Sequence, residues 1–571
     1  MTAPSFSYDQ GPSFVELFTP KLVTVLREGY RLHHLRSDAM AGLTVAIVAL
    51  PLSMAIAIAS HASPAQGLYT AIFGGFLVSA LGGSRFQIGG PAGAFIVLVG
   101  ATVQAHGMHG LILATLMSGV LLTLVGFLKL GTYIKFIPYP VTVGFTAGIA
   151  AIIFASQIKE LLGLSLAVPE PGPLAEKLPV LWQSLPTLDP VTLAISLGSI
   201  LVIVGLKHLR PHWPGMLIAV AGAAAATTLL GLDVATIGTR FGGIPSSIPM
   251  PELPALSLAK VQEVLPAALA FTLLGSIESL LSAVVADGMT GRRHRSNCEL
   301  VAQGVANVGS SLFGGFCVTG TIARTATNVR AGAHGPVSGM LHAVCLLLFV
   351  LIAAPLASYI PLACLAGVLA VVSWNMVEKQ AVATLLSASR GDAAVLTVTF
   401  LLTIFRDLTE AIVIGFALGS VLFIHRMSKA ATIEHHAPLV EEDKADDTDG
   451  GRRPYDETRA SNPDVVVYRI SGAFFFGAAA SIGAVLDRIA DTHRVLVVDF
   501  AAVPFLDSTA ARTIEGIAHK AARKGVRVIL SGTSEELRKA FAAHGLRPPV
   551  VAFAPTIDAA RAEAQKSLST A

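Results

Sequence analysis

Three long stretches without Asp, Glu, Lys or Arg constrain this chain more than any other feature of its sequence. They cover residues 39–84, 86–128 and 331–377. Each stretch is long enough for about two membrane-spanning helices of ~20 residues. Only 13% of the 571 residues are charged and 53% are hydrophobic, which indicates that most of the chain lies in lipid. Aromatic residues are few and small residues are common, a pattern that favours packed helices over an outer-membrane barrel.

The apolar runs predict about fourteen membrane-spanning helices between Asp38 and Met427, separated by Gly, Pro and short polar segments. Basic residues precede the first span and follow the sixth, eighth and twelfth, which places those ends in the cytoplasm. These residues are Arg27, Arg31, Arg36, the segments 207–210 and 292–295, and Arg390. The opposite loops, 163–189 and 231–257, hold one Lys and one Arg respectively. Both termini are therefore expected in the cytoplasm, with the spans in a bacterial inner membrane.

The composition predicts four regions. They are a cytoplasmic N-terminal segment (1–37), a transmembrane domain (38–427), a charged linker (428–462) and a cytoplasmic domain (463–571). The linker is placed by residues 434–462, which are rich in Asp, Glu, Arg and Gly and lack apolar periodicity. Beyond it, strands are predicted at 465–470, 495–500 and 526–530, and helices at 481–490, 509–524 and 534–544, which indicates a small α/β domain with one sheet. The N-terminus lacks a basic segment followed by a short apolar core, so no cleavable signal peptide is predicted.

Two Gly-rich segments interrupt the membrane region in corresponding places. Residues 89–94 precede the apolar run 95–103, and residues 313–321 lead into Arg324. Pro suits the first turn of a helix, and Gly lets the backbone approach a ligand closely, so both segments are predicted to begin half-helices. Each helix N-terminus offers unpaired N–H groups and about half a positive charge, so two facing ends would bind an anion. Their places, in about the third and tenth spans, fit inverted repeats of about seven helices each. The alternative is that these glycines only allow helices to pack.

Ionisable residues inside apolar spans are costly and therefore mark functional candidates. Glu278 lies within the predicted span 268–286, where burial favours the neutral acid and permits the proton exchange that could link proton flux to substrate movement. The alternative is a permanently protonated or Arg-paired structural Glu. Arg324 could reinforce the helix dipoles, or its side chain could extend toward the cytoplasm beside Arg330. A short interhelical turn at the membrane surface is predicted for Arg406, Asp407 and Glu410.

Several other functions are excluded by the sequence. The net charge is only +3 and the chain lacks a basic stripe, so no nucleic acid is expected to bind. The four cysteines have no CxxC spacing, which argues against a metal site or a disulfide framework, and no cofactor is predicted. An enzyme is not expected, because no Ser/His/Asp set, metal cluster or phosphate loop is recognisable.

Six groups of residues occur in order along the membrane region and carry a resemblance to a known family. They are residues 42–45 with Leu50-Pro51, residues 66–69, residues 89–95, Ile277-Glu278-Ser279-Leu280-Leu281, Asn297-Cys298-Glu299-Leu300 with Gln303-Gly304, and residues 318–325 continuing through 328–332. The chain thereby resembles the sulfate permease (SulP) family of anion transporters, whose mammalian members include prestin. The C-terminal region resembles the STAS domain of that family, with Phe505-Leu506-Asp507-Ser508-Thr509-Ala510 at a strand-to-helix turn.

The resemblance implies about fourteen helices in two inverted repeats, divided into core and gate subdomains. It further implies a homodimer and an elevator-like motion that carries the substrate site across the membrane. By position, the resemblance assigns substrate binding to Ser53, Ala92, Gly93, Ala94, Thr321, Ile322, Ala323 and Arg324. Many relatives have a Gln near the position of Leu52, so one polar substrate contact is missing here.

Ion coupling is assigned by the same resemblance to the eighth span, at Glu278 and Ser282. Sodium-coupled bicarbonate relatives have a segment similar to Asp-Ser-Leu-Leu-Thr where this chain has Glu278-Ser279-Leu280-Leu281-Ser282, a difference that favours protons over sodium. In the STAS domain, Thr509 matches a hydroxyl that is phosphorylated in related free-standing proteins, so Asp507, Ser508 and Thr509 are candidate regulatory residues. The alternative is ordinary helix capping by Asp507 or Ser508.

The sequence thus predicts a secondary active transporter of small anions of the sulfate, bicarbonate or dicarboxylate class, operating by proton-coupled symport. Its expected partners are the anion, the proton, membrane lipid and a second copy of the chain. Two alternatives remain open, a passive anion channel or exchanger and an anion-sensing receptor that signals through the STAS domain.

Overall fold

The computed structural model describes residues 13–569 except for 135–137, 169, 172, 211–212, 255, 407, 431, 436–463 and 476–493. The chain divides into two compact units, Met1–Ala417 and Leu418–Ala571. Most of the predicted linker and the helix predicted at 481–490 lie outside the described residues.

The first unit is built from helices, with two very short strands at its centre. Its first half contains α1 Phe14–Phe18, α2 Lys21–Arg27, α3 Leu32–Ala59, α4 Pro64–Tyr69, α5 Gly75–Leu81, β1 Gly89–Gly90, α6 Ile96–Phe127, α7 Gly131–Ile134, α8 Tyr139–Leu162, α9 Leu174–Gln183, α10 Pro190–Leu209, α11 Gly215–Leu229 and α12 Ile237–Phe241. Its second half contains α13 Leu258–Thr290, α14 Ser296–Leu312, β2 Thr319–Gly320, α15 Ile322–Arg330, α16 Val337–Ala357, α17 Leu362–Met376, α18 Lys379–Ala388, α19 Arg390–Phe405 and α20 Leu408–Ala430, the last of which crosses the boundary between the units.

Many of these helices have the length and composition of membrane spans. Within the described residues, nine helical segments are long and apolar enough to cross a bilayer, and α11 is a shorter apolar helix. The predicted third and fourth spans are the two arms of α6, which bends at Gly107 because this residue adopts a left-handed φ of 68°. The predicted count of about fourteen spans stays a prediction.

The helices of the first unit pack in two sets. In one set, α16 packs on α3 and α5, and α6 packs on α13 and α14. In the other set, α8 packs on α17 and α19, and α10 packs on α11 and α17. We call the first of these sets the core set and the second the gate set, after the predicted core and gate subdomains.

The second unit contains one mixed sheet flanked by helices. Its elements after α20 are β3 Thr432–His435, β4 Val465–Ser471, β5 Val495–Ala502, α21 Ser508–Arg523, β6 Arg527–Ser531, α22 Glu535–Ala543, β7 Ala552–Ala554 and α23 Ile557–Ser569. The strand order is β3-β4-β5-β6-β7, with β3 antiparallel to β4 and the other pairs parallel.

Alternating side chains of the central strand cover the two faces of this sheet. Leu496, Val498 and Phe500 belong to the hydrophobic cluster that includes α21 and α22, whereas Val495 and Val497 belong to the cluster that includes α23. The predicted α/β domain with one sheet is confirmed. The strands β3 and β7 and the helix α23 were not predicted, and β3 overlaps the start of segment 434–462.

Candidate anion-binding site

The two short strands pair with each other and bring together the two predicted half-helix starts. β1 and β2 are antiparallel, with Gly89 opposite Gly320 and Gly90 opposite Thr319. All four residues are buried. The strand pair therefore fixes the positions of the segments that follow it, which lead into α6 and α15.

The start of α6 lies directly after β1. Ala92 has an extended backbone (φ −109°, ψ 144°), and Gly93–Phe95 forms a 3-10 turn that continues into α6. Pro91 precedes this turn, so the prediction that it occupies the first helical turn is wrong. It has another role, because its carbonyl accepts a hydrogen bond from Nη2 of Arg324 at 3.2 Å.

The start of α15 is tied to the segment just before β1. The N–H and the hydroxyl of Thr321 both donate to the carbonyl of Ile88, at 3.0 and 3.2 Å. In return, the N–H of Ile88 donates to the hydroxyl oxygen of Thr325 at 3.1 Å. Ser282 of α13 also donates to Thr325, at 3.0 Å. These bonds satisfy both backbone groups of buried Ile88 and lock the start of α15 against β1.

Arg324 is the largest of the fully buried side chains in the described chain, with 1% of its surface exposed. Its Nη2 donates to Ser53 of α3 and to Pro91, both at 3.2 Å. Its Nε and Nη1 find no hydrogen-bond acceptor among the described residues. The alternative in which this side chain extends toward the cytoplasm is therefore wrong, whereas Arg330 is exposed.

Gly90 is required by the position of this guanidinium. A methyl group on Gly90 would overlap Nη1 of Arg324. Since β1 has no side chain at that point, the guanidinium lies directly against the backbone that leads to the start of α6. A cation and two helix N-termini are thus concentrated in one buried place, and their potentials add.

The site residues differ in how accessible they are. Ala92, Ala94, Thr321 and Ser53 are buried, Gly93 and Ile322 are partly exposed, and Ala323 is exposed. A methyl group built on Gly93 would lie 3.4 Å from Ile153 of α8 and 3.5 Å from Met376 of α17. Gly93 is therefore one of the points at which the core set meets the gate set.

Glu278 lies on α13, close to the paired strands β1 and β2. Thr319 of β2 donates to the carbonyl of Gly275 at 3.3 Å, and Gly275 is about one helical turn before Glu278. The Glu278 side chain is 9% exposed and accepts no hydrogen bond from the described residues. Within the described part of the chain it forms no ion pair with an Arg, which argues against one of the two structural alternatives. The Ser282 hydroxyl, by contrast, is engaged by Thr325.

A second buried carboxylate was not predicted as a site residue. Glu299 of α14 is fully buried and accepts hydrogen bonds from the side chains of Gln87 (2.9 Å) and Gln303 (3.1 Å) and from the N–H of Ser84 (2.9 Å). Gln87 also donates to Ser279, the residue next to Glu278, at 2.8 Å. This network anchors the segment before β1 to α13 and α14. Its sequence signal was a lone carboxylate in the segment Asn297-Cys298-Glu299-Leu300.

The predicted regulatory residues lie in the second unit, at the start of α21. Asp507 is the N-cap of this helix and accepts a hydrogen bond from the N–H of Ala510 at 2.8 Å. Ser508 and Thr509 are exposed, as is Phe505 in the preceding loop. Capping by Asp507 is therefore present, and it leaves the two hydroxyls accessible.

The first unit contains the sequence pattern of a known family. The model described as "Sulfate permease family" matches residues 35–399. The chain belongs to the sulfate permease family. The model described as "STAS domain" matches residues 458–560, so this family member carries a C-terminal STAS domain.

Curated relatives of this sulfate permease family member cover nearly its whole length. It is 38% identical over 524 residues to the putative sulfate transporter YvdB of Bacillus subtilis (strain 168), covering 91% of this chain and 95% of that protein. It is 31% identical over 521 residues to the bicarbonate transporter BicA of Picosynechococcus sp., covering 89% of this chain and 90% of that protein.

Solved structures show the same fold. The murine Solute Carrier 26 family member A9 anion transporter in its inward-facing state aligns with a TM-score of 0.83 at 18% identity, over 99% of this chain and 96% of that chain. The transmembrane domain of a cyanobacterial bicarbonate transporter BicA aligns with a TM-score of 0.59 at 31% identity, over 68% of this chain and 98% of that chain. The polytopic helical membrane fold with a C-terminal STAS domain is confirmed.

Proposed function

We propose that this protein is a secondary active transporter of small anions of the sulfate, bicarbonate or dicarboxylate class. One observation carries the proposal most directly. The Arg324 guanidinium is buried where the segments leading into α6 and α15 meet, and two of its N–H-bearing nitrogens have no acceptor among the described residues. A buried cation beside two helix N-termini is a strongly anion-attracting arrangement. Relatives named as sulfate and bicarbonate transporters support the same substrate class.

The anion binds between the starts of the two half-helices in this proposal. The backbone N–H donors come from Gly93 and Ala94 before α6 and from Ile322 and Ala323 in the first turn of α15. Arg324 supplies the fixed positive charge, and Ser53 holds the guanidinium in place through its hydroxyl. Ala92, Ala94 and Thr321 form the buried frame of the site.

Transport proceeds by an elevator-like displacement of the core set relative to the gate set. Most of the proposed site belongs to elements of the core set or to segments bonded to them, and Gly93 adjoins the gate set, where an added methyl group would still be 3.4 Å from Ile153. A small residue at this point removes a steric obstacle between the two sets. The hydrogen bonds around Ile88 hold the two half-helix starts together, so the site moves as one piece.

Coupling of the anion to a proton is assigned to Glu278. Its carboxylate is buried near the paired strands β1 and β2, and no hydrogen bond from the described residues holds it in the ionised form. Burial favours the neutral acid and the nearby positive potential favours the ionised form, so the two effects oppose each other. Glu299 differs because three donors hold its carboxylate. Ser282 donates a hydrogen bond to Thr325 of α15. This bond connects α13, the helix that carries Glu278, to the anion site.

We further propose that both termini lie in the cytoplasm, that the membrane is the bacterial inner membrane and that the protein is a homodimer. The basic clusters support the orientation through the positive-inside rule. Large apolar side chains remain exposed on several spans, including Leu201, Ile352 and Phe423, and lipid or a second copy of the chain would cover them.

Replacing Ala323 with Trp is expected to abolish anion binding while the protein stays folded. Ala323 is exposed, so the indole does not disturb the buried core, yet it occupies the space beside the first turn of α15. The check is the affinity for radiolabelled sulfate or bicarbonate in detergent, together with the melting temperature. Thr327→Trp, one helical turn further along, serves as the matched control, and normal binding by a folded Ala323→Trp variant would contradict the site.

The STAS domain is proposed to regulate transport through Thr509. Phosphorylation there would place negative charge in the first turn of α21, where it favours the helix dipole but is repelled by Asp507. Thr509→Glu is expected to change the maximal uptake rate about twofold or more, whereas Thr513→Glu, one turn later in α21, is expected to have less effect. An unmodified Thr509 in protein from native cells, combined with normal uptake by Thr509→Glu, would exclude regulation at this residue.

A further inference from the structure

A polar cavity of the first unit lies at the C-terminal end of α8. It has a volume of about 500 Å³ and is formed by the residues after α8 together with α12. Its charged lining residues are Lys159, Glu170 and Arg240. We call this cavity the α8 vestibule.

The ion pairs around the α8 vestibule are of two kinds. The ammonium group of Lys177 lies 2.8 Å from Glu170, and this pair is largely buried. Lys159 and Arg240 are different, because each lies 3.9 Å from the same carboxylate oxygen of Glu160. That distance is too long for a hydrogen bond. Two cations therefore share one loosely held carboxylate.

The charges of this group do not cancel. Within these ion pairs, three cations, Lys159, Lys177 and Arg240, face two carboxylates, Glu160 and Glu170, which leaves one net positive charge. The Asp189 carboxylate, also near the end of α8, instead accepts hydrogen bonds from the first N–H groups of α10. The side chains of Lys159 and Glu160 are only 22% and 25% exposed. Partial burial keeps their electrostatic interactions stronger than those of fully solvated surface groups.

The α8 vestibule and the anion site are both next to helix α8. Ile153 of α8 lies beside Gly93, where a methyl group would be 3.4 Å from its Cδ1 atom. Glu160 is seven residues further along the same helix, which is about two turns and about 10 Å on nearly the same face. Lys159, which lines the vestibule, is six residues beyond Ile153, so the vestibule is about 9 Å further along the axis of α8 than the contact at Gly93.

We propose that the α8 vestibule is a collecting site for the transported anion, in which Lys159 and Arg240 bind the anion and Glu160 competes with it. The inference rests on the proposed transport function. On the proposed topology the vestibule opens on the side of the membrane opposite the termini. The arriving anion takes the place of the Glu160 oxygen between the two cations. A divalent oxyanion interacts about twice as strongly with each cation as a monovalent anion does.

The test compares charge-neutralising variants of opposite sign. Uptake of radiolabelled sulfate, or of bicarbonate where the wild-type protein does not take up sulfate, is measured in proteoliposomes with the vestibule side outward. Lys159→Gln and Arg240→Gln are each expected to raise the half-saturating anion concentration about two- to fivefold without changing the maximal rate. Glu160→Gln is expected to lower the half-saturating anion concentration by a similar factor. Misfolding cannot produce such an increase in apparent affinity. High salt should reduce all three effects.

Lys260→Gln is the matched control, because Lys260 is an exposed Lys at the start of α13 and does not line the vestibule. Where the wild-type protein transports and the three vestibule variants behave like this control, the collecting site is excluded while the transport function stands. A higher half-saturating concentration for Glu160→Gln would also exclude it. Where the wild-type protein takes up and binds neither anion, the proposed function fails and the collecting site fails with it.

Discussion

Gly90→Ala is expected to weaken anion binding about tenfold or more although it changes no charge. The added methyl group would overlap Nη1 of Arg324, which is the end of a flexible side chain rather than backbone. The guanidinium must therefore move away from its bonds to Ser53 and Pro91, while β1 keeps its course. Hydrogen bonds to a charged group contribute about 1.5–3 kcal/mol, so Arg324→Gln should weaken binding about 10- to 100-fold. Both affinities are measured by titration of the purified protein with labelled anion.

Gly93→Ala is the matched control for this experiment. The methyl group at Gly93 would make only near-normal contacts, at 3.4 and 3.5 Å, with Ile153 and Met376. It should bind the anion much like the wild-type protein. If Gly90→Ala is folded and binds as tightly as Gly93→Ala, the guanidinium position does not determine the site.

Glu278→Gln is expected to bind the anion but to lose the acceleration of uptake by an inward proton gradient. Anion occupation cancels part of the positive potential of Arg324 and the helix ends, and it adds repulsion toward an ionised Glu278. The occupied site should therefore hold the Glu278 proton more tightly than the empty site. Reciprocity then requires protonation to strengthen anion binding by the same factor, so wild-type uptake falls as the external pH rises.

The measurement is initial uptake into proteoliposomes at fixed membrane potential over a range of external pH. The Gln side chain mimics the protonated acid, so the variant should give a nearly flat profile. Glu263→Gln is the control, because Glu263 lies on the same helix but is 58% exposed. A wild-type pH profile in Glu278→Gln would exclude this residue as the coupling group.

The local parts of the site were predictable from the sequence. The Gly-rich segments before residues 95 and 322 predicted both half-helix starts, because Gly at such places permits extended backbone and close contacts. Arg324 and Glu278 were selected as candidates because charge in an apolar span is costly. Their surroundings depend on elements far apart in the chain. The bonds between Ile88 and Thr321 could not be inferred from either segment alone.

The other differences between the predicted and the observed structure also arise from contacts between residues that are far apart in the chain. Glu299 is held by Gln87 and Ser84, which are distant in sequence, so its role required the pairing of α14 with the segment before β1. Pro91 has a favourable residue type for a first helical turn, yet it lies between β1 and the 3-10 turn, and its carbonyl accepts a hydrogen bond from Arg324. In the STAS domain, the short strands β3 and β7 have little periodicity of their own and are stabilised by neighbouring strands.

Accumulation of a labelled anion in proteoliposomes tests the central claim most directly. The wild-type protein is reconstituted, an inward proton gradient is imposed, and the internal concentration of radiolabelled sulfate or bicarbonate is followed at fixed membrane potential. We predict accumulation above the external concentration, with loss of accumulation when the proton gradient is dissipated and little uptake by Gly90→Ala. Equilibration without accumulation would indicate a passive channel or exchanger, and anion binding without flux would indicate a receptor; either result would contradict proton-coupled transport.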